Sequence, residues 1–247
     1  MSAAIVTRLE SLRAAGLVRR ASERSDEGVE RSLPVVAALR PLLPGGCLRR
    51  GSTLAINANA SFFLAGAAGG ATSLLLAMLA EASAAGSWCA AVGLPRLGLV
   101  AAAEAGVAIE RLALVPHPGP DWVEAVGALL DGLDIVVVAT AAGVAPQLAS
   151  RIAARARQRG TVLIAVGPWR GADVSLRVTG ATWHGLGVGV GRLRRREVEV
   201  VVSGRGAAAR PRRGHLWLPG PVGVPAPAAP TVTSLTIEEL RTERRAS

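Results

Sequence analysis

The spacing of apolar positions changes twice along this chain, and each change marks a different kind of element. At the start, Val6, Leu9, Leu12 and Leu17 recur at helical intervals, which predicts an amphipathic helix from Ala3 to Arg24. The polar run SERSDEGVERS after it reads as a linker. LPVVAALRPLLPGGCLRRGSTLAI then predicts a short helix, a Pro-Gly-Gly turn and the first core strand. From Gly51 to Ala80 no residue is charged. That length could cross a bilayer, but Asn57, Asn59, Ser61 and the glycines between Gly66 and Gly70 interrupt it. A buried parallel strand, a glycine-rich loop and a buried helix account for the same stretch without a membrane.

Farther on, the pattern alternates regularly. Helices are predicted at about Ala71 to Ala84, Leu97 to Ala105, DWVEAVGALLDG and Pro146 to Arg159. Between them SWCAAVG, RLALVPH, LDIVVVAT and TVLIAVG are short apolar runs that read as strands. Strands alternating with helices of about a dozen residues argue for an α/β fold with a doubly wound, mainly parallel sheet. Past Pro168 the period drops to two. DVSLRVTG, REVEVVVSG and GHLWLPG follow one another with no helix between them, so the sheet is expected to end in antiparallel strands. Gly220 to Pro230, rich in Pro and Ala, predicts a linker without regular structure. The closing TSLTIEELRTERR predicts an amphipathic helix bearing Leu235, Ile237 and Leu240. Three parts follow: 1–32, a helix and charged linker; 33–220, the core; 221–247, a linker and tail.

Charge adds candidate contacts to this layout. The chain carries 28 arginines, no lysine and a formal net charge of +10. Arginine and alanine codons are GC-rich, so the bias speaks of the genome as well as of function. The arginines cluster at Arg192, Arg194, Arg195 and Arg196, at Arg210, Arg212 and Arg213, and along Arg151, Arg155, Arg157 and Arg159. The first two clusters are candidate nucleic-acid contacts, and plain solubility fits them equally well. Five Trp, two Phe and no Tyr supply few platforms for stacking bases. Cys47, Cys89, His117, His184 and His215 lack metal-ligand spacing, so no metal is expected. The N-terminus lacks the apolar core of a signal peptide, which points to the cytoplasm.

The uncharged stretch has the layout of a phosphate-binding loop, G-x-x-x-x-G-K-[ST]. Gly70, Ala71 and Thr72 stand at its last three positions, and Ala65 stands at its first glycine. The lysine of such a loop reaches the β- and γ-phosphates; here that slot holds a methyl group. Gly66, Gly69, Gly70, Ala71, Thr72 and Ser73 form a vestigial loop. Its helix N-terminus and hydroxyls still offer an anion site, while its glycines are equally explained by a tight turn. Nucleotide binding is expected to be lost, and no cofactor is expected.

The matching stretches are LPGGCLRRGSTLAI, GGATSLLLAMLAEASAAGSWCAAV, AGVAIERLALV, LDIVVVAT, TVLIAVG and VSLRV…REVEVVVSGRGAA…LWLPG. In this order they resemble the RecA recombinase core from Leu33 to Gly220. More narrowly, the chain is similar to the RecA-like mutasome accessory proteins of actinobacteria, the ImuA-prime type. The resemblance implies a RecA-like sheet and shows where chemistry has been erased. Ala139 stands where the family's magnesium-side aspartate ends its strand. Leu94 falls in the region of the water-activating glutamate, and Pro168 aligns with the γ-phosphate-sensing glutamine. Asp134 cannot replace Ala139, because it lies about 16 Å back along the strand. Losing charge neutralisation, metal binding and nucleophile positioning together implies no hydrolysis and no catalytic residue. The family's DNA-gripping loops are also cut back to AAGVAPQ and PWRGAD, so strand exchange is not expected.

The resemblance thus implies a catalytically inactive accessory subunit of a DNA-damage-induced translesion-synthesis complex. Its implied partner is an ImuB-like Y-family polymerase homologue, with an error-prone C-family DNA polymerase and the sliding clamp reached indirectly. Leu235, Ile237 and Leu240, or else Val6, Leu9, Leu12 and Leu17, are the candidate partner contacts. The implied location is the cytoplasm, on the nucleoid during DNA damage. Two alternatives stay open: an ATP-independent DNA-binding repair protein that uses the arginine clusters, and a RecA-fold cell-division inhibitor.

Overall fold

The computed structural model describes residues 32–57, 70–140, 143–186, 191–220, 224–228 and 233–234. The predicted N-terminal helix, Gly66 and Gly69 of the loop, and Leu235, Ile237 and Leu240 lie outside them.

Six parallel strands make the body of the sheet. They are β3 (Thr53–Asn57), β4 (Cys89–Val92), β5 (Leu112–Val115), β6 (Ile135–Ala139), β7 (Val162–Val166) and β8 (Val174–Leu186). A short pair, β1 (Ser32–Leu33) and β2 (Leu48–Arg49), forms a separate antiparallel ribbon. Then β9 (Gly191–Gly204), β10 (Arg212–Trp217), β11 (Ala226–Pro227) and β12 (Thr233–Ser234) add antiparallel strands at one side. The order is β11-β10-β9-β8-β3-β7-β6-β4-β5, with β12 also on β10. The fold is therefore α/β, built on a large mixed sheet that is mostly parallel.

Burial on both faces explains the near-continuous apolar runs of the central strands. Leu54, Ile56, Cys89, Ala91, Ile135, Val137, Ile164 and Val166 point into one core. Their neighbours Ala55, Ala90, Val92, Val136, Val138, Leu163 and Ala165 point into the other. The first core takes α1 (Ala71–Ala84) and Ala102 of α2 (Leu99–Glu104); the second takes α3 (Trp122–Leu130) and α4 (Pro146–Arg159). Helix α1 has no charged face because it is covered twice. The sheet lies beneath it, and Leu39, Leu42, Leu43 and Leu48 join the same core. Among the described residues no helix is long and apolar enough to cross a membrane.

Three expectations are corrected. The short helix expected before the Pro-Gly-Gly turn is a chain of turns over 36–43, closed by bonds such as Leu39 N–H to the Val36 carbonyl (2.9 Å) and Leu42 N–H to Leu39 (3.0 Å). Pro41, in the middle, has no N–H to extend a helical ladder. The antiparallel arms are longer than expected, with β8 and β9 running far past the end of β3, whose last rung is Asn57↔Arg177. The Pro/Ala-rich stretch is not all linker, since Ala226 pairs with Trp217 and Pro227 with Leu216, followed by Thr233 with Arg213 and Ser234 with Arg212. A sheet edge left bare attracts other strands, and the tail covers this one. A boundary at residue 220 therefore cuts through the sheet. Deleting 231–247 removes two of these four pairs, and is expected to lower the melting temperature by about 2–4 °C with the fold kept. An unchanged melting curve would mean that β12 contributes nothing to β10.

The Arg-rich helix α4 is anchored rather than wholly offered to partners. Arg155 clasps Asp131, at the end of α3, through two bonds (3.0 and 2.7 Å), and Arg159 adds a third (3.0 Å). Burial pushes the Asp131 carboxyl up, but the bonds and charges of Arg155 and Arg159 outweigh it and hold the pKa below its ordinary value. A depressed carboxyl stabilises the fold above the unfolded value, near 4, and the effect is lost as pH falls through the lower folded value. Asp131→Asn is thus expected to cost about 1 kcal/mol at pH 7, allowing for solvent screening. The gap between variant and parent in urea melts should narrow as pH falls below the unfolded value near 4 and close below the lowered folded value. A gap that stays constant as pH falls through that range would show that the carboxylate's charge is not what matters.

Candidate functional site

At the carboxyl ends of the parallel strands Gly70 and the start of α1 meet the other positions where chemistry was expected. Gly70 caps α1 in the left-handed region (φ 88°), which disfavours a side chain. A Cβ there would also lie 3.3 Å from Val198 Cγ2, so β9 presses directly on the start of the helix. Ala71 is buried, while Thr72 and Ser73 are partly exposed beside it. Ala139 ends β6 and pairs with Val166, and Val166 in turn pairs with Ile56 of β3. Leu94 follows β4, and Gly93 before it (φ 76°) lets the chain approach β6 so closely that a Cβ would sit 2.7 Å from the Ala139 carbonyl. Pro168 follows β7 and packs near Gly143.

Ala71, Leu94, Ala139 and Pro168 therefore gather at one edge of the sheet. The described connections leaving β4, β6 and β7 there contain Arg96 and Arg170, and the first carboxylate after β7 is Asp173. Asp173 sits at the opposite edge, where it accepts the Thr53 N–H (2.9 Å) at the start of β3. Asp134 is just as far removed. It is 2 % exposed and accepts bonds from Trp88 N–H (2.9 Å) and the Arg50 guanidinium (3.0 Å) at the amino end of β6. Its work is structural. Its charge, after burial itself, also pushes the pKa of the buried Cys89 thiol up.

One residue at this edge was expected as a nucleic-acid contact and is instead buried inside the protein: Arg196. Only 4 % exposed, it reaches from β9 to donate to the Ser73 hydroxyl (2.6 Å) and to the Leu218 carbonyl (2.9 Å). Its guanidinium lies 4.9 Å from the centre of the Trp183 ring. Burial lowers its pKa from the ordinary value, yet an arginine stays protonated at neutral pH. A cation faces the positive end of a helix here, which alone is unfavourable. The hydroxyl, the carbonyl and the indole face offset that cost. The sequence held a signal for this: Arg196, Val198, Val200 and Val202 share one face of an alternating strand, and all four are buried.

The other arginines of the two clusters divide. Arg192 and Arg194 fall in β9 ahead of Arg195. Arg195 is exposed and stacks on Trp217 (4.6 Å), and Arg210 is exposed. Arg212 instead donates to the carbonyls of Pro41 (3.0 Å) and Leu43 (3.2 Å), and Arg213 pairs with Glu199 (2.9 Å). Arg196, Arg212 and Arg213 are thus engaged inside the protein, and within the described part of the clusters Arg195 and Arg210 remain on its surface.

A family model described as the MT3502 N-terminal domain matches residues 41–171. The chain belongs to this family. The MT3502 N-terminal match runs from before β2 to just before β8, so it holds the vestigial loop and the parallel strands through β7. The antiparallel arms, with Arg196, lie beyond it. The chain is also 44 % identical over 113 residues to the uncharacterized protein Rv3395c of Mycobacterium tuberculosis (strain ATCC 25618 / H37Rv). That alignment covers 45 % of this chain and 55 % of the relative, so the chain spans about half the length of the curated relative it matches.

Proposed function

We propose that this protein is a RecA-like scaffold that has given up nucleotide chemistry and works as a binding subunit of a translesion-synthesis complex. The observation that carries the proposal is the state of one sheet edge. Ala71, Leu94, Ala139 and Pro168 converge there, and the Arg196 guanidinium occupies the start of α1. Sheet order supports the RecA-like part: the loop strand β3 lies between β7 and β8, and β6, which ends at Ala139, lies one strand farther out. With no carboxylate before Asp173 in the described connections leaving β4, β6 and β7, the groups that hold magnesium and activate water in that family have no counterpart there. What such a scaffold retains is its surface and its terminal segments.

The partner proposed is an ImuB-like Y-family polymerase homologue, held through Leu235, Ile237 and Leu240. Val6, Leu9, Leu12 and Leu17 form the second candidate stripe. The test is replacement of Leu235, Ile237 and Leu240 by Ser in the source bacterium. Copurification with the Y-family protein after DNA damage, and damage-induced mutagenesis with it, should both be lost while circular dichroism stays unchanged. Undiminished copurification would remove the tail from the interface.

A second function has one observation in its favour. Arg195 is exposed and lies over Trp217 on the neighbouring strand, so this face offers an aromatic and a cationic group together. That combination suits single-stranded nucleic acid. Binding of a labelled oligonucleotide that weakens steeply with salt, and is lost in Arg195→Ala/Trp217→Ala, would favour this function.

A further inference from the structure

At the amino ends of the strands, opposite the vestigial loop, the protein has a cavity of about 630 Å³. Among the described residues, Arg49, Arg50, Arg157 and Arg205 line it against a single carboxylate, that of Asp173. Two of these five charged groups are already committed. Arg50 is tied to Asp134 (3.0 Å), and Asp173 accepts the Thr53 N–H. Arg205 donates to the Gly171 carbonyl, which fixes its guanidinium at the rim. Arg49 and Arg157 are exposed, and no described carboxylate pairs with either. The floor is apolar, formed by Leu43, Leu54, Val174 and Ala208.

We infer that this cavity binds a small phosphate-bearing molecule of mononucleotide size. Its volume falls in the range of about 300–1,000 Å³ usual for small-molecule sites, which are likewise apolar with a few convergent polar groups. Guanidinium forks match phosphate oxygens in a bidentate way. The carbonyl end of α4 also lies here and disfavours an anion, but Arg157 in its last turn opposes that partial charge. The apolar floor sets the ligand apart from free phosphate, because it can cover a base or another flat organic body. This inference is independent of the proposed partner, and the site is separate from the vestigial loop at the other edge of the sheet.

Calorimetric titration of the full chain with ADP, AMP and inorganic pyrophosphate tests it. ADP or AMP is expected to bind more tightly than pyrophosphate, and Arg49→Ser/Arg157→Ser should weaken that binding at least about tenfold. Ser73→Ala, at the opposite edge, should leave it unchanged. Pyrophosphate binding as tightly as the nucleotides would remove the role of the apolar floor. Cys47 lines the cavity and Cys89 is buried, so alkylation of Cys47 in the unsubstituted protein gives a second measurement. The nucleotide should slow alkylation in proportion to occupancy. The inference fails if no probe binds at millimolar concentration, if the double variant binds as the parent does, if Ser73→Ala weakens binding, or if Cys47 is not protected.

Discussion

Replacing Arg196 with Ala is expected to destabilise the protein by about 2–3 kcal/mol, a fall in melting temperature of about 4–12 °C. The side chain is buried and makes two charge-assisted bonds, to Ser73 and to Leu218. Removing it leaves the Leu218 carbonyl without that donor and opens space where the stem packed beside Trp183. Relief of a buried charge near a positive helix end offsets part of the loss. Arg196→Met keeps most of the stem, so its cost should be smaller and isolates the bonds from the packing. Arg196→Lys should not restore full stability, since one ammonium lacks the planar fork that reaches both acceptors. If Arg196→Ala melts within about 1 °C of the parent, the side chain does not hold β9 on α1 as described.

The second large effect concerns turnover. The protein is expected to release no phosphate from ATP above background, with or without single-stranded DNA. A single preorganised charge contact is worth about 10²–10³ in rate at comparable sites. In the proposed RecA-like correspondence, the lysine, metal carboxylate and water-activating positions hold Ala71, Ala139 and Leu94. Such losses do not add strictly, but no one of them can be repaired alone. Ala71→Lys should therefore remain inactive, and it would set a second cation beside Arg196 at the start of α1. Ala71→Lys/Ala139→Asp should remain inactive as well, with Leu94 and Pro168 still in place. Turnover by the unsubstituted protein that disappears in Thr72→Ala would overturn this view, and turnover by Ala71→Lys alone would show that other groups at the edge supply the chemistry.

How far the sequence reaches depends on whether a feature is local. Helices α1 and α4 were legible to the residue, because an uncharged run follows Gly70 and because Pro146 and Gly160 punctuate α4. The parallel strands were legible because burial on both faces leaves continuous apolar runs. The convergence of Ala71, Leu94, Ala139 and Pro168 came from family resemblance; spacing alone could not bring four separate connections to one edge. Arg196 was hidden in RLRRRE, which looks like a solvated charge run until its parity with Val198, Val200 and Val202 is followed. The cavity at the opposite edge was not legible at all. Arg49, Arg157 and Arg205 are distant in sequence and meet only because β2, α4 and β9 end on the same side. Edge pairing of Ala226 and Pro227 was equally hidden, since proline-rich composition argues against strands and only an outer edge tolerates them.

In the proposed function this scaffold binds its partner without using nucleotide. Titration of the purified full chain with the purified Y-family partner, in the presence and absence of ATP and magnesium, checks this. A complex is expected whose Kd is the same within about twofold in both conditions, because a ligand without differential affinity shifts no equilibrium. No complex at all, or a Kd that moves well beyond twofold when ATP and magnesium are added, would contradict it.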